Sequence, residues 1–285
     1  MIPIETQLMK RTTKTLIYRL CFISILGTFS LQKRSDSYLE TDPNNQSESQ
    51  FFIDTLYSNK LKQERLLTVF LPKNFDKKKT YPVVYATDGQ IISDAYVKAL
   101  DSLIDKKMIP EIVFIGVHSN ETWITSMKME YRYFEYVKQK VQNSDSLSSR
   151  FNAHFDFFVD EVFDYAQKTY SVSNLREDRI FYGSSNGADF GLSLAIERPD
   201  LIGSFILCSL FQGTKDLYPW NDKTSPSFYI YYGDLEFEDV KFNAQNLEKY
   251  LKHQNIPYYL KCYEGDHERK KWENETIKIL PMIFL

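Results

Sequence analysis

Arg179-Ile180-Phe181-Tyr182-Gly183-Ser184-Ser185-Asn186-Gly187-Ala188 decides the reading of the whole chain. A short apolar run, Ile180 to Tyr182, ends in a G-x-S-x-G sequence. Behind it, Ala188, Leu192, Ala195 and Ile196 fall on one face of a helical pattern. Strand, tight turn and helix make the setting in which a serine hydroxyl stands clear of the backbone and acts as a nucleophile. Gly183 and Gly187 remove the β-carbons that would collide where strand and helix nearly touch. The helix start offers free N–H groups and a positive dipole end to a developing oxyanion. Ser185 is therefore the candidate nucleophile, and the backbone N–H of Asn186 is one candidate oxyanion donor.

Outward from this turn, strand and helix patterns alternate. Phe52 to Tyr57 and Leu66 to Leu71 read as strands joined by a turn at Ser58-Asn59-Lys60. Tyr81 to Ala86 and Glu111 to Val117 are near-continuous apolar runs, as buried parallel strands are. A helix is expected near Ser93 to Ile104, between them. A long excursion, 119–150, follows His118 and carries Trp123 and Tyr131-Arg132-Tyr133-Phe134-Glu135-Tyr136. Long loops at the C-terminal ends of strands build binding surfaces. Phe151, Phe155, Phe158, Val162 and Ala166 predict a helix up to Tyr170. After the Ser185 turn come strands at Ser204 to Cys208, Ser227 to Tyr232 and Tyr258 to Tyr263, with helices around Val240 to Leu251 and Trp272 to Ile283. The fold class this predicts is α/β, a mostly parallel central sheet with helices on both faces.

Composition bounds the function. Over 285 residues, Lys+Arg 35 against Asp+Glu 38 leaves a net charge of −3, which argues against nucleic acid as a partner. Cys208 and Cys262 lie in apolar, strand-like runs and read as buried thiols; no C-x-x-C pair and no metal-ligand spacing occurs. Residues 1–35 carry a basic segment, Lys10, Arg11 and Lys14, before an apolar run from Leu20 to Leu31. That pattern predicts a signal peptide or an uncleaved N-terminal membrane anchor, and hence export to the periplasm or the outside. Residues 36–50 read as a polar linker, and the folded domain as 51–285.

A serine nucleophile on this architecture needs an acid and then a histidine later in the chain. The histidine takes the serine proton, and the carboxylate holds the imidazole in the right tautomer. Of 4 histidines, His118 and His154 precede the turn, His253 lies in a helix, and His267 follows the last strand. His267 is the candidate base. The acid is expected after the strand ending at Tyr232, where Asp234, Glu236, Glu238 and Asp239 crowd together. Glu238 and Asp239 have a sufficient role at the start of the next helix. Asp234 follows Gly233 and has a role in the turn. That leaves Glu236 as the candidate acid, with Asp234 as the alternative. A second oxyanion donor is expected from the loop after the Tyr81–Ala86 strand, at Gly89-Gln90.

These pieces together resemble the esterase branch of the α/β-hydrolases. That branch holds enterochelin-type siderophore esterases, feruloyl and acetyl-xylan esterases, S-formylglutathione hydrolases and mycolyltransferases. The resemblance rests on Tyr81 to Gln90, Arg132-x-x-Glu135-Tyr136, Gly183 to Gly187, Arg198 to Gly203, and Gly265-Asp266-His267 with Trp272 downstream. It departs from the common pattern at Asn186 and at Gly187-Ala188. It implies an α/β-hydrolase fold and serine esterase or acyltransferase chemistry without a cofactor or metal. It also implies the backbone N–H groups of Gln90 and Asn186 as oxyanion hole, and a carboxylate three residues after Gly233. Asp88, His118, Arg132 and Glu135 are expected around the substrate pocket, with Arg132 and Glu135 bracing the adjacent loop. The expected substrate is a small-molecule ester of an aromatic, siderophore or carbohydrate-linked acid. A non-catalytic binding module on the same fold is the competing reading.

Overall fold

The computed structural model describes residues 48–211 and 225–285. The expectations for residues 1–35, and for the linker up to residue 47, lie outside the described residues. One eight-stranded sheet organises the described chain, in the order β1-β2-β4-β3-β7-β8-β9-β10. The strands are β1 Gln50–Ser58, β2 Gln63–Leu71, β3 Val83–Thr87, β4 Val113–Val117, β7 Arg179–Ser184, β8 Ser204–Cys208, β9 Ser227–Gly233 and β10 Tyr258–Tyr263. Only β2 runs against its neighbours, pairing antiparallel with β1 and β4. β5 Trp123–Ile124 and β6 Met129–Glu130 form a separate small hairpin in the excursion.

The strand runs read from sequence are all present. β3 starts at Val83 rather than Tyr81, because Pro82 has no N–H to give to a ladder. Pro82 contributes its carbonyl instead, accepting the Val113 N–H at 3.0 Å. β3, β4 and β7 are buried along their whole length, as the continuous apolar runs required.

Side-chain alternation splits the core into two layers. Val84, Ala86, Phe114, Ile180, Tyr182 and Ile206 face α1 Asp94–Asp105 and α8 Arg269–Ile283. Val83, Tyr85, Ile115, Phe181, Phe205 and Ile230 face the other helices. These are α4 Arg150–Asp156, a π-helical turn Phe157–Val162, α5 Phe163–Tyr170, α6 Asn186–Glu197 and α7 Glu238–His253. The excursion adds α2 Tyr131–Tyr136 and α3 Asp145–Ser148. No helix among the described residues is long and apolar enough to cross a membrane.

Cys208 is buried, as expected, and burial raises its thiol pKa. Cys262 is not: its side chain is exposed. β10 is the last strand of the sheet, and among the described residues one of its edges pairs with no further strand. The chain leaves β3 for β4 on one side of it and returns as β7 on the other. This order reversal falls at the carboxyl ends of β3 and β7, the place where open α/β sheets bind ligands.

Candidate active site

The Ser185 turn is built by steric exclusion. Ser185 has φ 55° and ψ −130°, an uncommon conformation for a residue with a β-carbon, of the kind that costs about 1–3 kcal/mol. Its N–H donates to Cys208 O of the neighbouring strand at 2.9 Å, and its carbonyl accepts Ala188 N–H at 2.9 Å, which starts α6. A β-carbon on Gly183 would lie 2.4 Å from Gly187 O, and one on Gly187 would lie 2.2 Å from Thr87 Oγ1. The turn leaves Ser185 partly exposed and Ser184 buried.

The loop after β3 lies alongside, because β3 and β7 pair in parallel. Asp88 takes a left-handed conformation, φ 56° and ψ 43°, and leads into a tight turn at Gly89–Ile91. Gly89 packs on the next strand so closely that a β-carbon would lie 2.0 Å from Gly116 O. The Gln90 side chain ties this loop to the excursion: its Oε1 accepts Ser119 N–H at 3.1 Å, and its Nε2 donates to Glu121 Oε1 at 2.9 Å. The backbone N–H groups of Gln90 and Asn186 thus both sit in the first turn of a helix, where intrahelical acceptors are lacking.

At the same edge of the sheet, the turns after β9 and β10 bring Glu236 and His267 together. His267 Nδ1 lies 2.8 Å from Glu236 Oε2. A carboxylate accepts, so Nδ1 carries the proton and Nε2 keeps its lone pair. Glu236 is 4% exposed. Its other oxygen, Oε1, accepts from the Ser209 hydroxyl and from Tyr263 Oη at 3.2 Å. The Trp272 indole N–H donates to both of those hydroxyl oxygens, at 2.7 and 3.0 Å. Burial raises the Tyr263 phenol pKa, which keeps its proton in place as a donor. The alternative acid, Asp234, is exposed and accepts the Gly265 N–H at 2.8 Å, fastening the turn that carries His267. The imidazole packs edge-on against Trp272 at 4.7 Å and between Phe211 and Phe237 at 5.5 and 6.0 Å.

Of the expected pocket residues, Asp88 and Arg132 meet. Arg132 forms a two-pronged bridge to Asp88, Nε to Oδ1 at 2.6 Å and Nη2 to Oδ2 at 2.7 Å, and lies over the Tyr136 ring at 4.9 Å. His118 lies beside the loop, its Nε2 2.8 Å from Thr68 Oγ1, whose hydroxyl is also 2.9 Å from Gly89 O. If Thr68 donates to Gly89, His118 Nε2 must donate to Thr68. Burial lowers the His118 pKa to about 4, so the ring stays neutral. Glu135 corrects the expectation: it lines no pocket, being 0% exposed. It is enclosed by the Arg65 guanidinium and by Arg150 Nε at 2.8 Å, with His154 Nδ1 3.8 Å from its second oxygen. It braces the excursion from below. His154 is wholly buried there, and burial holds its pKa well below the usual histidine value.

Sequence reasoning missed Ser209, Phe211 and Asp189, which touch Glu236, His267 and Asn186 respectively. No spacing marks Ser209 and Phe211, because they reach the site through packing between distant segments, and Asp189 reads as an ordinary acid in the first turn of a helix. Among the described residues no group of three or more His, Cys, Asp or Glu side chains is placed to hold a metal ion.

The family model described as "Putative esterase" matches residues 58–232. The uncharacterized protein YjcH of Bacillus subtilis is 22% identical over 231 residues, covering 76% of this chain and 90% of that protein. A ferulic acid esterase superposes with a TM-score of 0.67 at 17% identity, over 83% of this chain and 98% of its own. An S-formylglutathione hydrolase from Staphylococcus aureus does so with a TM-score of 0.60 at 15% identity, over 84% of this chain and all of its own, 100%. The enterobactin esterase of Shigella flexneri gives 0.64 at 14% identity, over 82% of this chain and 59% of its own. At these identities the structural likenesses show a shared fold, that of the α/β-hydrolase esterases.

Proposed function

The chain belongs to the Esterase family, and from that premise we propose that it cleaves a carboxylic ester by a serine-dependent, acyl-enzyme mechanism. Ser185 attacks the ester carbonyl while His267 Nε2 takes its proton. Glu236 stabilises the imidazolium that forms. The oxyanion is met by the N–H groups of Gln90 and Asn186 at two helix starts. His267 then returns the proton to the leaving alcohol. Water, activated by the same imidazole, attacks the acyl-serine and frees the acid. The single observation that carries this reading is the 2.8 Å contact between His267 Nδ1 and a buried Glu236, which fixes the tautomer a base needs. It stands at the sheet edge where Ser185 holds a strained turn.

The acid released is read as aromatic or carbohydrate-linked. Two observations support this. Structural relatives include a ferulic acid esterase and an enterobactin esterase. The excursion also presents Trp123, 50% exposed, and half-buried Tyr131 and Tyr133. Rings of this kind stack on planar acyl groups. Turnover of feruloyl, acetyl and catecholate esters, set against a thioester, tests the substrate class; preference for the thioester would overturn it. Ser185→Ala tests the chemistry. It is expected to lower ester turnover by several orders of magnitude, about 10⁶ in a protease of the same logic, with the fold intact. Ser184→Ala, altering a hydroxyl that points into the core, is expected to keep most activity. A loss below about tenfold in Ser185→Ala would remove Ser185 from the role.

A further inference from the structure

The polar contacts around Ser185 continue beyond the triad and the oxyanion loops. Arg132, already bridged to Asp88, extends Nη1 to Asn186 Oδ1 at 3.3 Å. Asn186 Nδ2 donates in turn to Asp189 Oδ2 at 3.3 Å. Asp189 is fully buried in the first turn of α6, where the helix dipole favours a carboxylate. Its other oxygen accepts the Phe211 N–H at 2.8 Å, while Phe211 O accepts from the Asn243 amide. The Phe211 ring lies 5.5 Å from the His267 ring. One hydrogen-bonded run therefore passes from the Gln90 loop, through the residue after the nucleophile, to the segment that packs on the base.

The residue type at 186 matters to this run. Its side chain must accept from a guanidinium on one side and donate to a carboxylate on the other. A carboxamide of asparagine's length does both, and these partners fix which way the amide points. An aspartate would keep the Arg132 contact but set two carboxylates against each other. A leucine would fill the space and make neither bond.

We propose that the Asn186 carboxamide is a positioning residue that sets the two oxyanion donors and the Phe211–His267 packing as one unit; this rests on the acyl-serine mechanism above. The oxyanion exists only along the reaction path. A small drift of its donors therefore weakens the transition state more than substrate binding, and the effect belongs in kcat.

The test is steady-state hydrolysis of p-nitrophenyl acetate by Asn186→Leu and Asn186→Asp, with active sites counted by a fluorophosphonate probe. In both variants kcat is expected to fall by about 10- to 100-fold, with KM within about threefold of the parent and a full count of reactive serines. If Asn186→Leu does not fold, Asn186→Asp, of nearly unchanged shape, carries the same criterion. A kcat within about twofold of the parent, or a change confined to KM, overturns the proposal. Ser185→Ala measured alongside separates the two levels. Full activity in Ser185→Ala sinks the acyl-serine reading, and this inference with it. An inactive Ser185→Ala beside a fully active Asn186→Leu sinks this inference alone.

Discussion

At the scale of single residues, the acid of the proposed triad is the sharpest question. Glu236 and Asp234 stand two apart, one buried against His267 and the other bonded to the Gly265 N–H at 2.8 Å. An amide at 236 keeps the shape but leaves the imidazole in the wrong tautomer, a change that costs about 10⁴ in turnover in the worked serine protease case. Glu236→Gln is therefore expected to lose orders of magnitude in kcat, and Asp234→Asn less than about tenfold. Steady-state rates on one activated ester decide it, and the reverse ranking would move the role to Asp234. The pairing of His267 with Glu236 was legible in the chain. His267 follows from order alone, being the histidine that comes after the last strand. Glu236 follows from removing carboxylates that had another use. Ser209 and Tyr263, which hold the far oxygen of Glu236, were not legible as its partners. Each lies 27 residues from it, one before and one after, and only the folded sheet edge brings them together. Cys262 was misread as buried, and Glu135 as lining the pocket, for a related reason. Local apolarity does not reveal that a strand is terminal, and a charged residue in a loop does not announce that two arginines enclose it.

At the scale of elements, strand existence followed from periodicity, because buried parallel strands are apolar throughout and turns are marked by glycine; strand order came only with the fold. The elbow was legible for a stronger reason: it needs two glycines at fixed offsets. Gly187→Ala tests that need. Its β-carbon would lie 2.2 Å from Thr87 Oγ1, on a branched side chain of the neighbouring strand that cannot swing far. Such overpacking is expected to cost about 1–3 kcal/mol, read as a lower urea midpoint, and to reduce activity as the Ser185 turn shifts. An unchanged midpoint would mean that strand and helix have more room than the contact implies. The π-helical turn at Phe157–Val162 was not legible. It widens a helix whose spacing reads as ordinary, and it lets Phe157 and Phe158 both turn inward.

At the scale of the whole described domain, the excursion between β4 and α4 is fastened from below by a buried charge, besides its ties to the Asp88–Gln90 loop. Arg65 on β2, Glu135 on α2 and Arg150 on α4 converge there. Removing one partner of a buried ion pair leaves an uncompensated charge and costs about 3–5 kcal/mol. Glu135→Ala is expected to lose that much in chemical denaturation, and to lose activity through displacement of Arg132. A loss under about 1 kcal/mol would show that the excursion is held some other way. The strand directions carry a different kind of consequence. β1 runs parallel to β4, so the described chain enters the sheet at the edge opposite Ser185. Helix α8 starts just past His267 and returns to that same far edge, where Phe284 and Leu285 line a hollow with Lys73 and Pro110. Entry and exit of the described chain thus share one side, and the proposed reacting groups take the other. A bead, a surface or a fusion partner coupled through Leu285 would grip the domain by its back and leave the mouth turned toward the solution.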